Sequence, residues 1–181
     1  ELTVPFSQVN LSKYQYDYYL KRNDSTDLMI IETIEIQENQ DGLDIIKISG
    51  KSLESILNRR IIWNKTTFSS RKYADAIYSL IALNATRTDL GKRSIPELSV
   101  DNTFQCDKEE TLDAEYLGEH LDEVITELCQ LHQVGWKIEN KSDLNSCKFE
   151  FSLYRGEDKT GIWRALYAET GDLTSVRFIK D

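Results

Sequence analysis

The feature that most constrains the fold is a pair of apolar-rich segments on either side of a tight-turn dipeptide. Residues 28–36 begin with Leu-Met-Ile-Ile and continue with isoleucines among acidic residues. Asp41-Gly42 then supplies the pair that tolerates positive φ in a two-residue turn. The return segment, 44–49, brings three more isoleucines. This pattern predicts an antiparallel β-hairpin over 28–49.

A short helix is predicted directly after the hairpin. Gly50 is expected to end the second strand, and Ser52 is expected to cap the helix. The apolar side chains of the helix fall on one face, which we expect to pack back on the hairpin: Leu53, Ile56 and Leu57. Arg59 and Arg60 lie at its C-terminal end, where cations complement the carbonyl dipoles. Segment 61–63 is expected to be a short strand or an extended exit.

A second helix is predicted over about 71–84, where apolar residues recur at three- and four-residue spacing. Ser69 or Ser70 is its expected N-cap. The polar segment 85–113 follows, and we expect it to be a long loop or to carry short edge strands such as 98–100.

A third helix is predicted to begin between Asp113 and Glu119 and to end near Gln133. Gly135 is placed to end it as the C′ residue. Acidic residues face away from its apolar stripe, which comprises Leu117, Leu121, Val124, Ile125, Leu128 and Leu131.

The remaining sequence has the alternation of β-strands. Segments 136–139 and 148–154 are predicted to pair through a polar turn, and two more strands are predicted at 162–168 and 173–179. One face of the 148–154 strand is expected to be buried, through Phe149, Phe151 and Leu153.

Strands and helices are thus grouped rather than alternating, which predicts an α+β fold with mainly antiparallel sheet. We divide the chain into two domains. Residues 1–58 are expected to form a small sheet capped by a helix, and residues 59–181 an α+β domain with two helices on a sheet.

The composition excludes several classes of function. The chain of 181 residues has 22 Lys and Arg against 31 Asp and Glu, a formal charge of −9, so it is a poor general binder of nucleic-acid phosphates. No apolar run has the length of a membrane helix.

The three cysteines have neither disulfide-framework nor zinc-knuckle spacing, which favours thiols in a reducing cytoplasm. Because the chain begins at Glu1, in a strand-like segment, we expect an excerpt from a longer polypeptide.

Charge is unevenly distributed along the chain. Residues 101–127 hold ten acids and one base, whereas residues 59–93 hold eight bases and two acids. The simplest interpretation is a pair of solvated faces. The alternative is that the two faces meet between neighbouring copies of the chain, where complementary potentials set the register of assembly.

Few residues have catalytic or metal-binding potential. His120 and His132 are twelve positions apart on the predicted helix, so they lie about 120° apart around its axis and cannot share a metal there. Cys129 with His132 could form half of a zinc site, but no second pair completes it. Glu157 and Asp158 are neighbours on one predicted loop, unlike the separated carboxylates of glycosidases. We therefore expect no enzyme active site, no metal and no cofactor.

Four segments resemble motifs of tailed-bacteriophage tail proteins, the baseplate-hub or tail-associated proteins of siphophages and prophages. Segment 48–62, ISGKSLESILNRRII, closely matches a sequence pattern that the family has directly after a β-hairpin. Segments 116–121 and 128–136 are similar to its helix-to-strand element, with His120 where the family commonly has Asn. Segment 151–160 is similar to its strand end. The residues that carry the resemblance are Gly50, Ser52, Leu53, Leu57, Arg59, Arg60, Tyr116, Gly118, Gly135, Trp136, Tyr154, Gly156 and Asp158.

The resemblance implies a structural role. Such hubs form a trimeric ring at the tail tip from small β-barrel-like tube domains with inserted α/β domains, and they join the tail tube to fibres or to a penetration device. It therefore implies a homotrimer, distal tail and other tail-tip proteins as partners, and a location in the virion tail after synthesis in the host cytoplasm. It supplies no catalytic or cofactor-binding residue.

Two alternatives remain open. One is a cell-wall hydrolase whose catalytic part lies outside this segment. The other is a surface-glycan-binding module with Tyr14, Tyr16, Tyr18 and Tyr19 as its aromatic platform. The alternation of three of these tyrosines is equally typical of one face of a β-strand.

Overall fold

A computed structural model describes residues 1–21, 27–38, 42–106, 110–143 and 146–156. These residues form three small sheets with three α-helices among them. In chain order the elements are β1 (Leu2–Pro5), α1 (Gln8–Lys13), β2 (Tyr19–Lys21), β3 (Leu28–Glu38), β4 (Asp44–Ser52), β5 (Thr66–Lys72), α2 (Tyr73–Ile81), β6 (Leu98–Val100), β7 (Thr111–Tyr116), α3 (Leu121–Leu131), β8 (Gly135–Asn140) and β9 (Phe149–Tyr154).

The sheets are mostly antiparallel. The first sheet has the order β1-β4-β3-β2, the second pairs β5 with β7, and the third has the order β6-β9-β8. Only the β6–β9 pair is parallel among the described strands. The predicted α+β fold with mainly antiparallel sheet is confirmed. The last two predicted strands lie outside the described residues.

The predicted hairpin is confirmed as β3 and β4, which pair from Glu38 opposite Asp44 to Met29 opposite Ser52. Asp41 lies outside the described residues, and Gly42 has a φ of +74°. The prediction that Gly50 ends the second strand is wrong, because β4 continues through it to Ser52. Gly50 lies opposite Ile31 at a β-bulge, where the ladder is irregular and the strands bend.

The predicted short helix is a single 3₁₀ turn, Leu53–Ile56. Its apolar residues are buried as predicted, in the same core cluster as Leu28 and Ile30 of β3: Leu53, Ile56 and Leu57. Ser52 precedes the turn with an extended backbone, but its side chain makes no capping bond, which corrects the predicted cap. Its carbonyl instead accepts a hydrogen bond from the Ser55 hydroxyl at 2.8 Å.

The second helix is shorter than predicted, because α2 begins at Tyr73 and a turn of π-helix, Ala82–Thr86, follows it. Ser69 and Ser70 do not cap it, since both belong to β5. Ser70 adopts a φ of +47° at an irregularity of the β5–β7 ladder, and its N–H donates to Asp113 Oδ1 at 2.8 Å. Of the predicted loop 85–113, both β6 and the start of β7 are strand.

The third helix begins later than predicted. The segment expected to open it is β7, so α3 begins only at Leu121, and Leu117 lies outside the helix with 59% of its surface exposed. Leu131 is 72% exposed and is not part of the buried stripe either. The rest of the stripe is buried as predicted: Leu121, Val124, Ile125 and Leu128.

Gly135 does not end α3, because it is the first residue of β8. The left-handed position is taken by Gln133, with a φ of +54°. The Gln133 N–H donates to the carbonyl of Gln130, and the Val134 N–H donates to that of Cys129, at 3.2 and 2.9 Å. These two bonds form a Schellman motif, which satisfies the last carbonyls of the helix without a glycine.

Two hydrophobic clusters hold the described elements together. The larger one lies among α2, α3 and the second and third sheets and includes side chains on both sides of residue 58. The smaller one lies on the other side of the first sheet and is centred on Ile31, Ile46 and Ile48. Adjacent residues of β3 serve different clusters, since Ile30 belongs to the larger one and Ile31 to the smaller. The division into domains at residue 58 stays a prediction.

The tyrosines at 14–19 do not alternate along one strand face. Only Tyr19 lies in a strand, β2, and the chain before it turns at Asp17, which has a φ of +65°. Tyr16 and Tyr18 are exposed, whereas Tyr14 packs against the smaller cluster. The interpretation of a single strand face is therefore wrong.

Candidate functional site

The motif that contains the double arginine forms a junction with the motif that contains Tyr116. The Ile62 N–H donates to the Glu119 carbonyl at 3.0 Å, and the Gly118 N–H donates to the Ile62 carbonyl at 2.8 Å. The Leu121 N–H, at the start of α3, donates to the Arg60 carbonyl at 2.9 Å. Two segments about 60 positions apart are thus joined through their backbones, and we call this pairing the first junction.

Gly118 makes the first junction possible through its backbone conformation. Its φ of +91° lies in the region that favours glycine, and it turns the chain between β7 and α3. His120, where the related motif commonly has Asn, places Nδ1 3.1 Å from the Asn58 carbonyl oxygen. Tyr116 precedes the turn, and its ring lies edge to face with that of Phe68, with 6.4 Å between the ring centroids. Burial, followed by the charges of Glu127 and Glu119, raises the pKa of Tyr116.

The two motif arginines have different surroundings. Arg59 is half-exposed and forms an ion pair with Asp17 at 2.5 Å. Arg60 is more enclosed, and its Nε donates to the Arg93 carbonyl at 2.7 Å. Burial, and then the positive charges of Arg93 and Arg59, lower the pKa of Arg60. These bonds connect the first junction to neighbouring loops.

The motif residues Gly135, Trp136 and Tyr154 form a second junction, at the β8–β9 ladder. Gly135 lies opposite Tyr154, and a side chain on Gly135 would meet the ring, since an added Cβ would lie 2.3 Å from Tyr154 Cζ. Trp136 stacks on Phe151 with 5.8 Å between ring centroids, and its indole N–H donates to Thr126 Oγ1 at 3.2 Å. These contacts tie α3 to the third sheet.

Of the two motif residues near the end of β9, Gly156 is among the described residues and Asp158 is not. Gly156 follows β9 with no atom within 4 Å of an added Cβ. Asp158 and its neighbour Glu157 lie outside the described residues.

Substituting Gly135 tests the second junction. We expect Gly135→Ala to lower the free energy of unfolding by about 1 kcal/mol, because the added methyl group must displace the exposed end of the Tyr154 ring. In a Tyr154→Ala background most of that loss should disappear, since the obstructing atoms are gone. Denaturant unfolding of the wild-type chain, the two single variants and the double variant measures the coupling, and an equal loss in both backgrounds would contradict this account.

The side chains that could take part in catalysis or metal binding are mostly held in structural contacts. The His132 ring stacks on Tyr73 with 4.0 Å between centroids, and Cys129 is buried. Glu139 accepts ion pairs from Lys137 and Lys141 at 2.7 and 2.9 Å, and these lysines lower its pKa. Within the described ranges, no three His, Cys, Asp or Glu side chains are grouped to hold a metal ion.

The surface of the described residues carries several open grooves. One of about 310 Å³ lies between the 3₁₀ turn and β8 and includes Glu54 and Glu139. Another of about 640 Å³ lies beside Tyr19, with Asn140 and Asp143 on its wall. His132 and Cys129 line neither of these grooves. In this part of the chain, no helix is both long and apolar enough to cross a membrane.

The cysteines give a direct test of burial. Burial raises the pKa of the Cys129 thiol to about 12, so its reactive thiolate is scarce near pH 8, whereas Cys147 is exposed. Cys106 is also buried. We expect one fast and two slow thiols with a chromogenic disulfide reagent, the slow ones reacting at least about 100-fold more slowly. Unfolding in guanidinium should make all three fast, and two fast thiols in the native chain would contradict the structure.

A comparison with protein-family models matches residues 1–179 to the Siphovirus ReqiPepy6 Gp37-like protein family. The chain belongs to this family. The Gp37-like family is a family of siphovirus proteins, so the expected bacteriophage origin is confirmed. No curated protein matches the chain.

The sequence identified the motif residues of this Gp37-like chain but not how they meet. The first junction joins segments with no shared periodicity, so no local pattern indicates it. Sequence reasoning also missed β7, although the alternation of Leu112, Ala114 and Tyr116 is a usable strand signal. The sequence places Asn84 on the face of the second predicted helix but does not indicate its hydrogen-bonding role. Asn84 is buried, and its Oδ1 accepts a hydrogen bond from the Trp63 N–H at 3.2 Å.

Proposed function

We propose that this chain is a structural component of the phage tail tip, of the baseplate-hub type, that joins the tail tube to the adsorption or penetration device. We also propose that it is not an enzyme and that it works as a homotrimer in contact with the distal tail protein. Membership of a siphovirus family supports a virion-associated role.

The first junction is the observation that carries the proposal. Two of the motif residues that resemble those of tail hubs, Arg60 and Gly118, are engaged in backbone pairing between 60–62 and 118–121. Of the motif glycines, Gly50 and Gly135 sit at positions of close approach and Gly118 has a positive φ, and Leu53 and Leu57 are in the core. A motif used in this way preserves the shape of a subunit, which is what a closed ring of identical subunits requires.

The location in the virion can be tested with antibodies against the 181-residue chain. Negative-stain images of virions of the encoding phage should show gold label only at the tip of the tail. The control is antibody absorbed with the purified chain, which should remove the label. Label on the capsid, or none on virions that contain the protein by mass spectrometry, would refute the proposal.

The proposed lack of catalysis is tested separately. Purified chain should give no clearing in a zymogram that contains host cell walls, beside a known hydrolase as a positive control. Clearing that survives repurification, and that is absent from a mock preparation, would instead support the hydrolase alternative.

Glycan binding remains a second candidate because Tyr16 and Tyr18 are exposed. Exposed aromatic rings offer apolar faces on which sugar rings can stack. Retention of the chain on purified wall polysaccharide, lost on Tyr16→Ala with Tyr18→Ala, would favour it. Elution with the void volume would count against it.

A further inference from the structure

Beside the first junction lies an exposed aromatic residue held in a fixed position. Trp63 is 62% exposed, and the Arg93 guanidinium lies 5.4 Å from its ring centroid. The Trp63 backbone N–H donates to the Oδ1 atom of buried Asn84, and Arg93 Nη2 donates to the Ile61 carbonyl at 3.1 Å. The Arg93 side chain of this cation–π pair is therefore anchored to the backbone of the junction, and the Trp63 main chain is anchored to Asn84.

Further apolar and cationic groups flank this pair. Leu117 is exposed and directly precedes Gly118, which pairs with Ile62. Lys92 adjoins Arg93 in sequence and is exposed, and Arg60 donates to the Arg93 carbonyl. We call this surface, Arg60, Trp63, Lys92, Arg93 and Leu117, the tryptophan face. Trp and Arg surrounded by further apolar area are the residues enriched at the centres of protein interfaces.

The charge of this surface selects the chemistry of its partner. Like-charged groups crowd Arg60, whose pKa is lowered first by burial and then by its neighbours Arg93 and Arg59. A partner with carboxylates around an apolar residue would relieve that repulsion and cover the indole. A basic or purely apolar partner would add to the repulsion or leave the cations unpaired.

The same chain presents such a surface on α3. Glu123, Glu127 and Leu131 follow each other at four-residue spacing, so they form one line along the helix, opposite its buried stripe. All three are exposed, and Leu131 has the highest exposed fraction, 72%, among the large hydrophobic residues described. We call this line the α3 stripe.

Other parts of the charged segments are already paired within the chain. Lys65 contacts Glu115 at 2.9 Å, Arg87 forms an ion pair with Asp89, and Asp113 accepts the Ser70 N–H. Fewer residues are therefore available to form two complementary faces than the sequence segments indicated.

We infer that the tryptophan face binds the α3 stripe of a second copy of this chain, head to tail. The inference rests on the proposed function and names the surfaces of its subunit contact. Because the two surfaces are different parts of one chain, a pair of copies still has one free α3 stripe, on the first copy, and one free tryptophan face, on the second. A head-to-tail contact of this kind closes into a ring when the rotation between copies allows it.

Charge reversal tests the contact. The wild-type chain should elute as an oligomer of its 21.0 kDa subunit in size-exclusion chromatography with light scattering. Arg93→Glu and Glu127→Arg should each raise the dissociation constant about 10-fold or more, because like charges would meet at the contact. The double variant should recover much of the lost affinity, since the pair is restored with opposite polarity. Lys13→Glu on α1 is the matched control and should change nothing.

Two further measurements protect the test against misfolding and general charge effects. Leu131→Arg should also dissociate the oligomer, and at an exposed position it should leave the melting temperature unchanged. Raising the salt from about 0.1 M to about 1 M should weaken the wild-type oligomer, since the screening length falls from about 10 Å to about 3 Å.

A chain that is monomeric at every accessible concentration would overturn the inference. So would reversals that leave the oligomer intact, or that remove only the binding of another tail protein. Label at the tail tip together with any of these results would refute the contact and leave the proposed tail-tip location standing. Label elsewhere would refute the function itself.

Discussion

Gly50→Ala is expected to lower the free energy of unfolding by about 3 kcal/mol or more, enough to leave much of the chain unfolded. A Cβ at this position would lie 1.8 Å from the Ile30 carbonyl oxygen and 2.8 Å from its carbon. These are backbone atoms of the neighbouring strand in the middle of the first sheet, so they cannot rotate away as a side chain would. The ladder beside Ile31 would have to separate.

Denaturant unfolding followed by circular dichroism measures this loss. Gly156→Ala is the matched control, because an added Cβ there has no atom within 4 Å, and its effect should stay within about 0.5 kcal/mol. The account of the close approach fails if Gly50→Ala melts with the wild-type chain.

Phe149→Ala is expected to cost about 3–5 kcal/mol, the range for removing a fully buried aromatic side chain. Phe149 has no exposed surface, and its ring lies edge to face with that of Tyr19, 5.1 Å between centroids. This contact joins β9 of the third sheet to β2 of the first. Removing the ring therefore leaves a cavity between two sheets.

Tyr16→Ala provides the comparison, since it also removes a ring but from an exposed position. Its effect on the unfolding midpoint should be small, within about 0.5 kcal/mol. Equal losses for the two variants would show that the Phe149 ring does not fill a tightly packed site.

The parts of the fold predicted from sequence are those specified by local pattern. The β3–β4 hairpin has alternating apolar residues and a turn dipeptide within about 20 positions, so the signal and the contact lie together. The apolar stripe of α3 was likewise predicted at Val124 and Leu128, since a helix places such residues on one face.

The errors arise where a tertiary contact replaced the local preference. A glycine commonly ends a strand, but Gly50 lies inside a strand because the Ile30 backbone approaches it too closely for a side chain. A glycine commonly ends a helix, but here Gln133 adopts the left-handed conformation after the helix. Gly135 is instead needed because the Tyr154 ring lies where a side chain would be. In both cases the glycine was recognised as necessary, and its reason lay in a distant segment.

The motif residues show the same limit for the candidate site. Their identity was readable, but the pairing of Ile62 with Gly118 and Glu119 depends on elements in between that fix both segments in space. The tryptophan face was not predicted either, because its members come from segments near 60, 92 and 117. No periodicity connects residues so far apart in the chain.

The two-sided burial of β3 has a consequence for how the chain unfolds. Consecutive isoleucines, Ile30 and Ile31, face opposite hydrophobic clusters, so the single strand β3 contributes side chains to both clusters. Disrupting either cluster exposes one face of β3 to solvent and weakens the packing of the other cluster against this strand. The described body should therefore denature in a single cooperative step, with no stage at which one half survives alone.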